Sequence, residues 1–207
     1  MSTVYDEITE ETLISVHGVG NGFERDVTVS PEYEEDFKKI GLVCGDAIRY
    51  SEDAYERLID VEDDQAVIKH TKDSDGKYNG IEVGNISKGR TDVKDFRDDT
   101  YATHMIYGYV LERNDNYIKV SVISPGNKVD GTRASGDMDR EAVLVNIPAG
   151  IPITVYDPSK TEKVYAATYD EILDYKHSGR NCSFVALHFR SAKLIELVVL
   201  NDYDLFK

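Results

Sequence analysis

The side chains that could perform acid–base, nucleophilic or metal chemistry are dispersed along the sequence. The chain has five histidines: His17, His70, His104, His177 and His188. No two of them have the spacing of a His-Glu-x-x-His zinc motif. A histidine in a strand-like segment, such as His17 or His188, usually satisfies its ring nitrogens with hydrogen bonds inside the fold. The sequence therefore predicts no metal site, no cofactor and no catalytic histidine.

Cys44 and Cys182 are the two cysteines of the chain. A nucleophilic cysteine needs a neighbouring base and a raised thiolate fraction. His177 lies five residues before Cys182, but that spacing across a predicted turn does not define a catalytic pair. Isolated cysteines commonly act as small apolar side chains, and the sequence shows no secretion signal. We therefore expect two reduced, non-catalytic thiols.

The segment Asp73-Ser-Asp75-Gly76 has the alternating oxygen ligands with which a calcium-binding loop begins. The ligand expected directly before the glycine is missing, and position twelve of the loop is Gly84 instead of glutamate. Aspartate-rich hairpin turns have the same pattern of aspartate, serine and glycine residues. We therefore predict a turn here.

A polar loop at residues 131–140 lacks the glycine motifs of phosphate-binding loops and of serine hydrolases. Exposed loops of this kind bind ligands or form contacts in an assembly. Asp137 and Asp139, with Glu141, would suit a hydrolase if two carboxylates were held close together. The loop also supplies four residues to a predicted interaction surface: Arg133, Asp137, Asp139 and Arg140.

Tyrosine is abundant, with fourteen tyrosines and no tryptophan. Four of them surround the second predicted hairpin and complete the predicted interaction surface: Tyr101, Tyr107, Tyr109 and Tyr117. Tyrosine is amphipathic and enriched at protein interfaces, although strand propensity also explains its frequency. A tyrosine-lined sheet could alternatively contact glycans.

The composition limits the possible partners. The 207 residues include 39 acidic and 24 basic side chains, for a net charge of −15, and 41% are hydrophobic. Residues 1–100 hold 25 acidic and 12 basic side chains, whereas residues 101–207 hold 14 and 12. Nucleic-acid binding requires clustered basic side chains, and a membrane helix requires about 20 apolar residues in a row. The sequence predicts neither.

Alternating apolar residues between turn-forming residues predict strands throughout the chain. Tyr117–Ile123 places Ile118, Val120 and Val122 on one face. Five further segments have strand patterns: Arg25–Ser30, Ala142–Ile147, Ile153–Tyr156, Ser183–Phe189 and Leu194–Leu200. Two short helices are predicted, at Glu32–Ile40 and Thr168–Tyr175, each beginning near a good cap. The predicted fold is all-β and mainly antiparallel.

A weak internal repeat divides the chain. Two segments have the same predicted order of a strand, a tight turn, a second strand and then Ser-Pro: Leu13–Pro31 and Ile106–Pro125. This order predicts two small barrel- or sandwich-like modules with one short helix each. The first module spans residues 1–70. Residues 71–104 form a polar connection with a possible hairpin around Asn79-Gly80, and residues 105–207 form the second module with an inserted loop around 127–141.

The leading hairpin, the Cys44–Tyr50 element (Cys-Gly-Asp-Ala-Ile-Arg-Tyr) and the closing strand Leu194–Leu200 (Leu-Ile-Glu-Leu-Val-Val-Leu) together resemble known β-modules. The resemblance is to small barrel-like modules of structural proteins of tailed phages and of surface-layer-associated proteins of Gram-positive bacteria. It implies a scaffold or assembly role and no catalytic residues. Because the sequence shows neither a secretion signal nor an anchoring module, we expect a virion or intracellular component.

The expected function is therefore that of a non-enzymatic structural or assembly subunit of a phage virion, as a capsid-decorating, head or tail component. Its partners would be proteins, including copies of itself, and it would reside in the virion or in the host cytoplasm during assembly. One alternative is a carbohydrate-binding or other β-module at the bacterial cell surface. A second alternative is the carboxylate-dependent hydrolase.

Overall fold

The computed structural model describes residues 2–6, 11–20, 23–48, 50–59, 66–84, 103–123, 128–130, 142–190 and 193–201. Its strands are β1 Ser2–Asp6, β2 Glu11–Gly20, β3 Phe23–Thr28, β4 Ala47–Ile48, β5 Ser51–Glu52, β6 Leu58–Ile59, β7 Ala66–Lys72, β8 Tyr78–Val83, β9 Thr103–Asn114, β10 Tyr117–Ile123, β11 Lys128–Asp130, β12 Ala142–Asn146, β13 Ile153–Tyr156, β14 Val164–Ala166, β15 Phe184–Arg190 and β16 Lys193–Leu200. Its helices are α1 Glu34–Ile40 and α2 Tyr175–Ser178, with 3₁₀ turns at Pro31–Tyr33, Tyr169–Glu171 and Gly179–Asn181. The all-β prediction is confirmed.

The largest element is a seven-stranded sheet with the order β12-β10-β9-β15-β16-β13-β14. Neighbouring strands are antiparallel except for β13 and β16, which are parallel. Both faces of its central strands are buried. As predicted, Ile118 and Val120 lie on one buried face of β10, where both belong to a single hydrophobic cluster. Val122 packs against this cluster, which we call the cluster behind β10.

A four-stranded sheet with the order β11-β8-β7-β4 packs on the other face of the seven-stranded sheet. Its side chains Ile68, Ile81 and Val83 are fully buried in one cluster with Tyr107 and Phe184 of the larger sheet. We call this cluster the sandwich core. The described strands therefore pack as a sandwich and do not close into a barrel.

The sandwich core combines side chains from all three segments that the sequence suggested. Ile68 belongs to the predicted first module, Ile81 to the predicted connection and Tyr107 to the predicted second module. The predicted hairpin in the connection exists, but its position was wrong. Its turn lies at residues 73–77 between β7 and β8, and Asn79-Gly80 lies inside β8.

A third cluster joins the three-stranded sheet β1-β2-β3 to α1. Phe37 and Ile40 on α1 pack there against Val27, Val29 and Leu58. The sequence predicted this helix because Ser30-Pro31 suits a helical start. The helix ends at Gly41, whose φ of +64° is a conformation that glycine adopts without strain.

The second short helix exists, but its predicted bounds, Thr168–Tyr175, were wrong. A single 3₁₀ turn at Tyr169–Glu171 is followed by extended backbone at Ile172, and α2 begins only at Tyr175. The extended conformation lets Ile172 enter the core at 0% exposure. It also lets Leu173 bond with Ser183 in both directions, at 2.8 Å each. Tertiary contacts therefore outweigh local helical spacing here.

Candidate functional site

Asp46 and His70 form a deeply buried pair of titratable side chains within the part of the chain that the structure describes. Oδ1 of Asp46 lies 2.8 Å from Nδ1 of His70 and also accepts the His70 backbone N–H at 2.8 Å. Its Oδ2 accepts the backbone N–H of Val43 at 2.9 Å. The two side chains are only 2% and 3% exposed. We call this arrangement the Asp–His pair.

The tight turn before β4 and the strand β7 bring these residues together. Gly45, with a φ of +99°, lets the turn approach the imidazole closely. His70 lies two residues after Ile68 and so on the same face of β7, which faces the sandwich core. Tyr156, at the end of β13, meets the imidazole edge-on with ring centroids 5.4 Å apart. The pair therefore lies where the two sheets meet.

An Asp–His pair orients an imidazole for proton transfer in many hydrolases. Nδ1 of His70 faces the carboxylate, so Nε2 is the ring nitrogen that a proton-transfer role would use. That Nε2 atom is buried and has no hydrogen-bond partner among the described residues. The imidazole is packed between the two sheets against Tyr156, so the arrangement supports packing between the sheets.

A second Asp–His contact fixes α2 to the seven-stranded sheet. Asp174 is 3% exposed, and its carboxylate accepts the backbone N–H groups of Arg113 at 2.8 Å and of His177 at 3.0 Å. Nδ1 of His177 lies 2.8 Å from Oδ1 of Asp174. Burial alone would raise the pKa of Asp174, but these hydrogen bonds outweigh it and hold the pKa below its usual value.

Ser183 and Cys182 lie beside this contact but do not form a nucleophilic site. The hydroxyl of Ser183 donates to Oδ1 of Asn201 at 2.6 Å and accepts the Leu173 N–H at 2.8 Å. Cys182 is buried, and burial raises the pKa of its thiol to about 11. A thiol with that pKa is protonated at neutral pH and so is a poor nucleophile. Cys44 is exposed, and both cysteines are free.

The segment that begins at Asp73 is a hairpin turn, as predicted. Oδ1 of Asp73 accepts the backbone N–H groups of Asp75 and Lys77, each at 2.9 Å. Gly76 supplies the positive φ, at +79°. No group of three or more potential metal ligands occurs among the residues that the structure describes. In the same residues, no helix has the length and apolar character needed to span a membrane.

The structure corrects part of the predicted interaction surface. Tyr107 and Tyr109 are 1% and 3% exposed and belong to the sandwich core, because they alternate inward on the central strand β9. Tyr117 is exposed at the start of β10. The remaining predicted surface residues lie outside the described ranges, as does the hydrolase candidate Glu141: Tyr101, Arg133, Asp137, Asp139 and Arg140.

The exposed large apolar side chains include one that sequence patterning missed. Leu144, on β12 at the edge of the seven-stranded sheet, is 68% exposed and lies beside Lys119 of β10. Its strand has the sequence Ala-Val-Leu-Val-Asn and contains no charged residue. We call Ala142–Asn146 the β12 edge. The alternation in this segment predicted a strand but could not show that the strand lies at an edge.

Two other exposed apolar side chains lie far from this edge in the sequence. Phe23 begins β3, and Tyr55 lies in the turn between β5 and β6. The guanidinium of Arg57 lies 4.9 Å from the centre of the Tyr55 ring, and Nε of Arg57 bonds to Asp53 at 2.9 Å. The turn therefore presents the Tyr55 ring to solvent, packed against an Arg57 side chain that is only 17% exposed. We call residues 53–57 the Tyr–Arg turn.

No protein-family model, curated protein or solved structure matches this chain. The resemblance to phage and surface-layer modules therefore stays a prediction.

Proposed function

We propose that this protein is a structural or assembly subunit that acts through its sheet surfaces and edges. The observation that carries the proposal is the β12 edge, an uncharged strand at the end of a seven-stranded sheet with Leu144 68% exposed. Natural proteins commonly protect such edges with charged residues, prolines or bulges. The described β12 strand has none of these in its sequence or its pairing.

The Tyr–Arg turn supports the same proposal. Tyrosine and arginine are enriched among the side chains that contribute most to protein–protein binding. Tyr55 is highly exposed, and the mostly buried Arg57 packs against its ring while hydrogen bonds with Asp53 orient the guanidinium. A preoriented side chain loses less conformational entropy when it binds a partner.

The proposed assembly is the virion of a tailed phage, with the protein as a capsid-decorating, head or tail component. Two features support a protein partner. The β12 edge suits strand-to-strand pairing, and residues 1–100 carry 25 acidic against 12 basic side chains. An acidic surface of this kind suits docking to a basic region of a larger shell.

The composition of particles tests this role. Particles from the cells that encode the protein would be banded in a density gradient, washed with high salt and quantified by mass spectrometry. The proposal predicts that the protein remains at a constant molar ratio to the main shell protein across the band. If the protein stays at the top of the gradient with the soluble proteins, the assembly role is wrong.

A further inference from the structure

We infer that the β12 edge pairs antiparallel with the same edge of a second copy of this chain, around a two-fold axis at Leu144. This inference rests on the proposed function and deepens it, because it names the partner and the contact. The two seven-stranded sheets would then form one continuous sheet across the dimer.

The hydrogen-bond pattern shows which groups of β12 face outward. Ile147 donates its N–H to the carbonyl of Asn116 at 2.8 Å, one step beyond the register pair Tyr117–Asn146. In an antiparallel ladder, alternate residues bond to the same neighbour. Val145 and Val143 therefore bond toward β10 as Ile147 does. The N–H and C=O groups of the three remaining residues point away from the sheet: Ala142, Leu144 and Asn146.

These outward groups are self-complementary. They belong to three residues centred on Leu144. A two-fold axis at this position therefore places Leu144 opposite Leu144 of the second copy, and Ala142 opposite Asn146 of the second copy. In an antiparallel ladder each such pair exchanges two hydrogen bonds, so the contact would contain about six. Among the described residues, β10 is the one strand that pairs with β12.

The side chains fit the same axis. The two Leu144 side chains would cover each other on one face of the joined sheet. On the other face, Val143 would lie opposite Val145 of the second copy. Both valines already contact the hydrophobic cluster behind β10, so the pairing would extend an existing core.

Among the residues that the structure describes, the charges next to β12 do not oppose a second copy. The chain carries a net charge of −15, and most surface contacts between copies would bring like charges together. The β12 strand is uncharged, and its neighbour Lys119 lies opposite Glu112 in the register of β10 and β9. Glu112 also contacts Lys176 at 2.7 Å. This local balance favours pairing at β12 over an acidic part of the surface.

Sedimentation velocity over a range of protein concentrations tests the inference. We expect wild type to change from monomer to dimer as its concentration rises. Leu144→Lys places two like charges on the axis and should raise the dimer dissociation constant at least about 30-fold. Leu144→Pro removes an outward N–H and should abolish pairing without loss of fold. Phe23→Lys, at an equally exposed apolar residue, is the matched control and should dimerise like wild type.

Disulfide trapping supplies an independent readout. Residues in a hydrogen-bonded antiparallel pair have Cα atoms about 5.5 Å apart, within disulfide range. In a Cys44→Ser background, Leu144→Cys should give a covalent dimer under mild oxidation, whereas Phe23→Cys should stay monomeric. A wild-type monomer at every concentration with no cross-link at residue 144 would overturn the inference. If such a monomer is nevertheless found in particles, the self-pairing is wrong and the assembly role remains.

Discussion

The Asp46 carboxylate and the His70 imidazole form a 2.8 Å contact between residues that are 24 positions apart in the chain. Both side chains are almost completely buried, and the Tyr156 ring from the opposite sheet packs edge-on against the imidazole. The contact thus connects a turn, a strand of the smaller sheet and a strand of the larger sheet. We expect its main effect to be on the stability of the sandwich.

Asp46→Ala should strongly destabilise the fold. The substitution leaves the N–H groups of Val43 and His70 without the carboxylate that accepts them. Buried donors without acceptors cost about 1–3 kcal/mol each, so for two donors we expect a loss of about 2–6 kcal/mol in the free energy of unfolding. Urea denaturation followed by far-UV circular dichroism measures this loss.

The matched control for that experiment is Asp26→Ala. Asp26 contacts His17 at 2.9 Å in a similar pair, but these side chains are 72% and 62% exposed. Exposed pairs of this kind contribute little to stability. If Asp26→Ala and Asp46→Ala have equal effects, burial is not the reason for the stabilisation.

Gly45→Ala should also destabilise the junction between the sheets. A Cβ atom there would lie 2.7 Å from Cζ of Tyr156 and 2.8 Å from Cε1 of His70, at a φ of +99°. Gly150→Ala is the control, because Gly150 also has a positive φ, at +77°, but no atom within 4 Å of the added Cβ. We expect a loss of about 1 kcal/mol for the control. Thermal melting should show a clearly larger loss for Gly45→Ala.

Asp174 should contribute to acid denaturation. Burial raises the pKa of Asp174, but hydrogen bonds from Arg113 and His177 outweigh this effect and lower the pKa below its usual value. A carboxylate with a lowered folded-state pKa stabilises the fold above about pH 4, and this contribution is lost as the pH falls further. Stability measured by urea denaturation between pH 6 and pH 2 should therefore fall less steeply in Asp174→Asn than in wild type.

Asp170→Asn provides the comparison for the acid experiment. Asp170 lies 3.4 Å from Arg113, but its side chain is almost fully exposed. Its substitution should leave the slope of stability against pH close to that of wild type. Equal slopes for wild type and Asp174→Asn would contradict the role assigned to the buried carboxylate.

Val120→Asp should prevent stable folding. Val120 is 0% exposed at the centre of β10 and packs in the cluster behind the seven-stranded sheet. An unpaired charge at this position should cost several kcal/mol. Leu144→Asp, one strand away at the exposed edge, should fold normally. Circular dichroism and thermal melting of the two variants separate the core strand from the edge strand.

The strands were largely predictable because their pattern is local. Tyr117–Ile123 and Ile153–Tyr156 match the observed strands residue for residue, since alternation and flanking turn residues define both segments. The bounds Thr168–Tyr175 predicted for the second helix were wrong because Ile172 is extended to reach the core. Its local spacing contains no information about the partner at Ser183.

The candidate sites were less predictable for the same reason. Asp46 and His70 are joined by sheet packing, and no spacing motif links residues so far apart. The tyrosine cluster around β9 predicted a surface, but Tyr107 and Tyr109 point inward because β9 is a central strand. Leu144 could be identified as exposed only once the strand order placed β12 at an edge.

Hydrogen exchange of individual backbone amides in β12, measured by NMR at low and high protein concentration, tests the central claim most directly. The amides of Val143 and Val145, which bond toward β10, should be protected at both concentrations. If β12 pairs with a second copy, the amides of Leu144 and Asn146 should exchange rapidly in dilute protein and become protected at high concentration. Rapid exchange of Leu144 at every concentration, with Val143 and Val145 protected throughout, would contradict it.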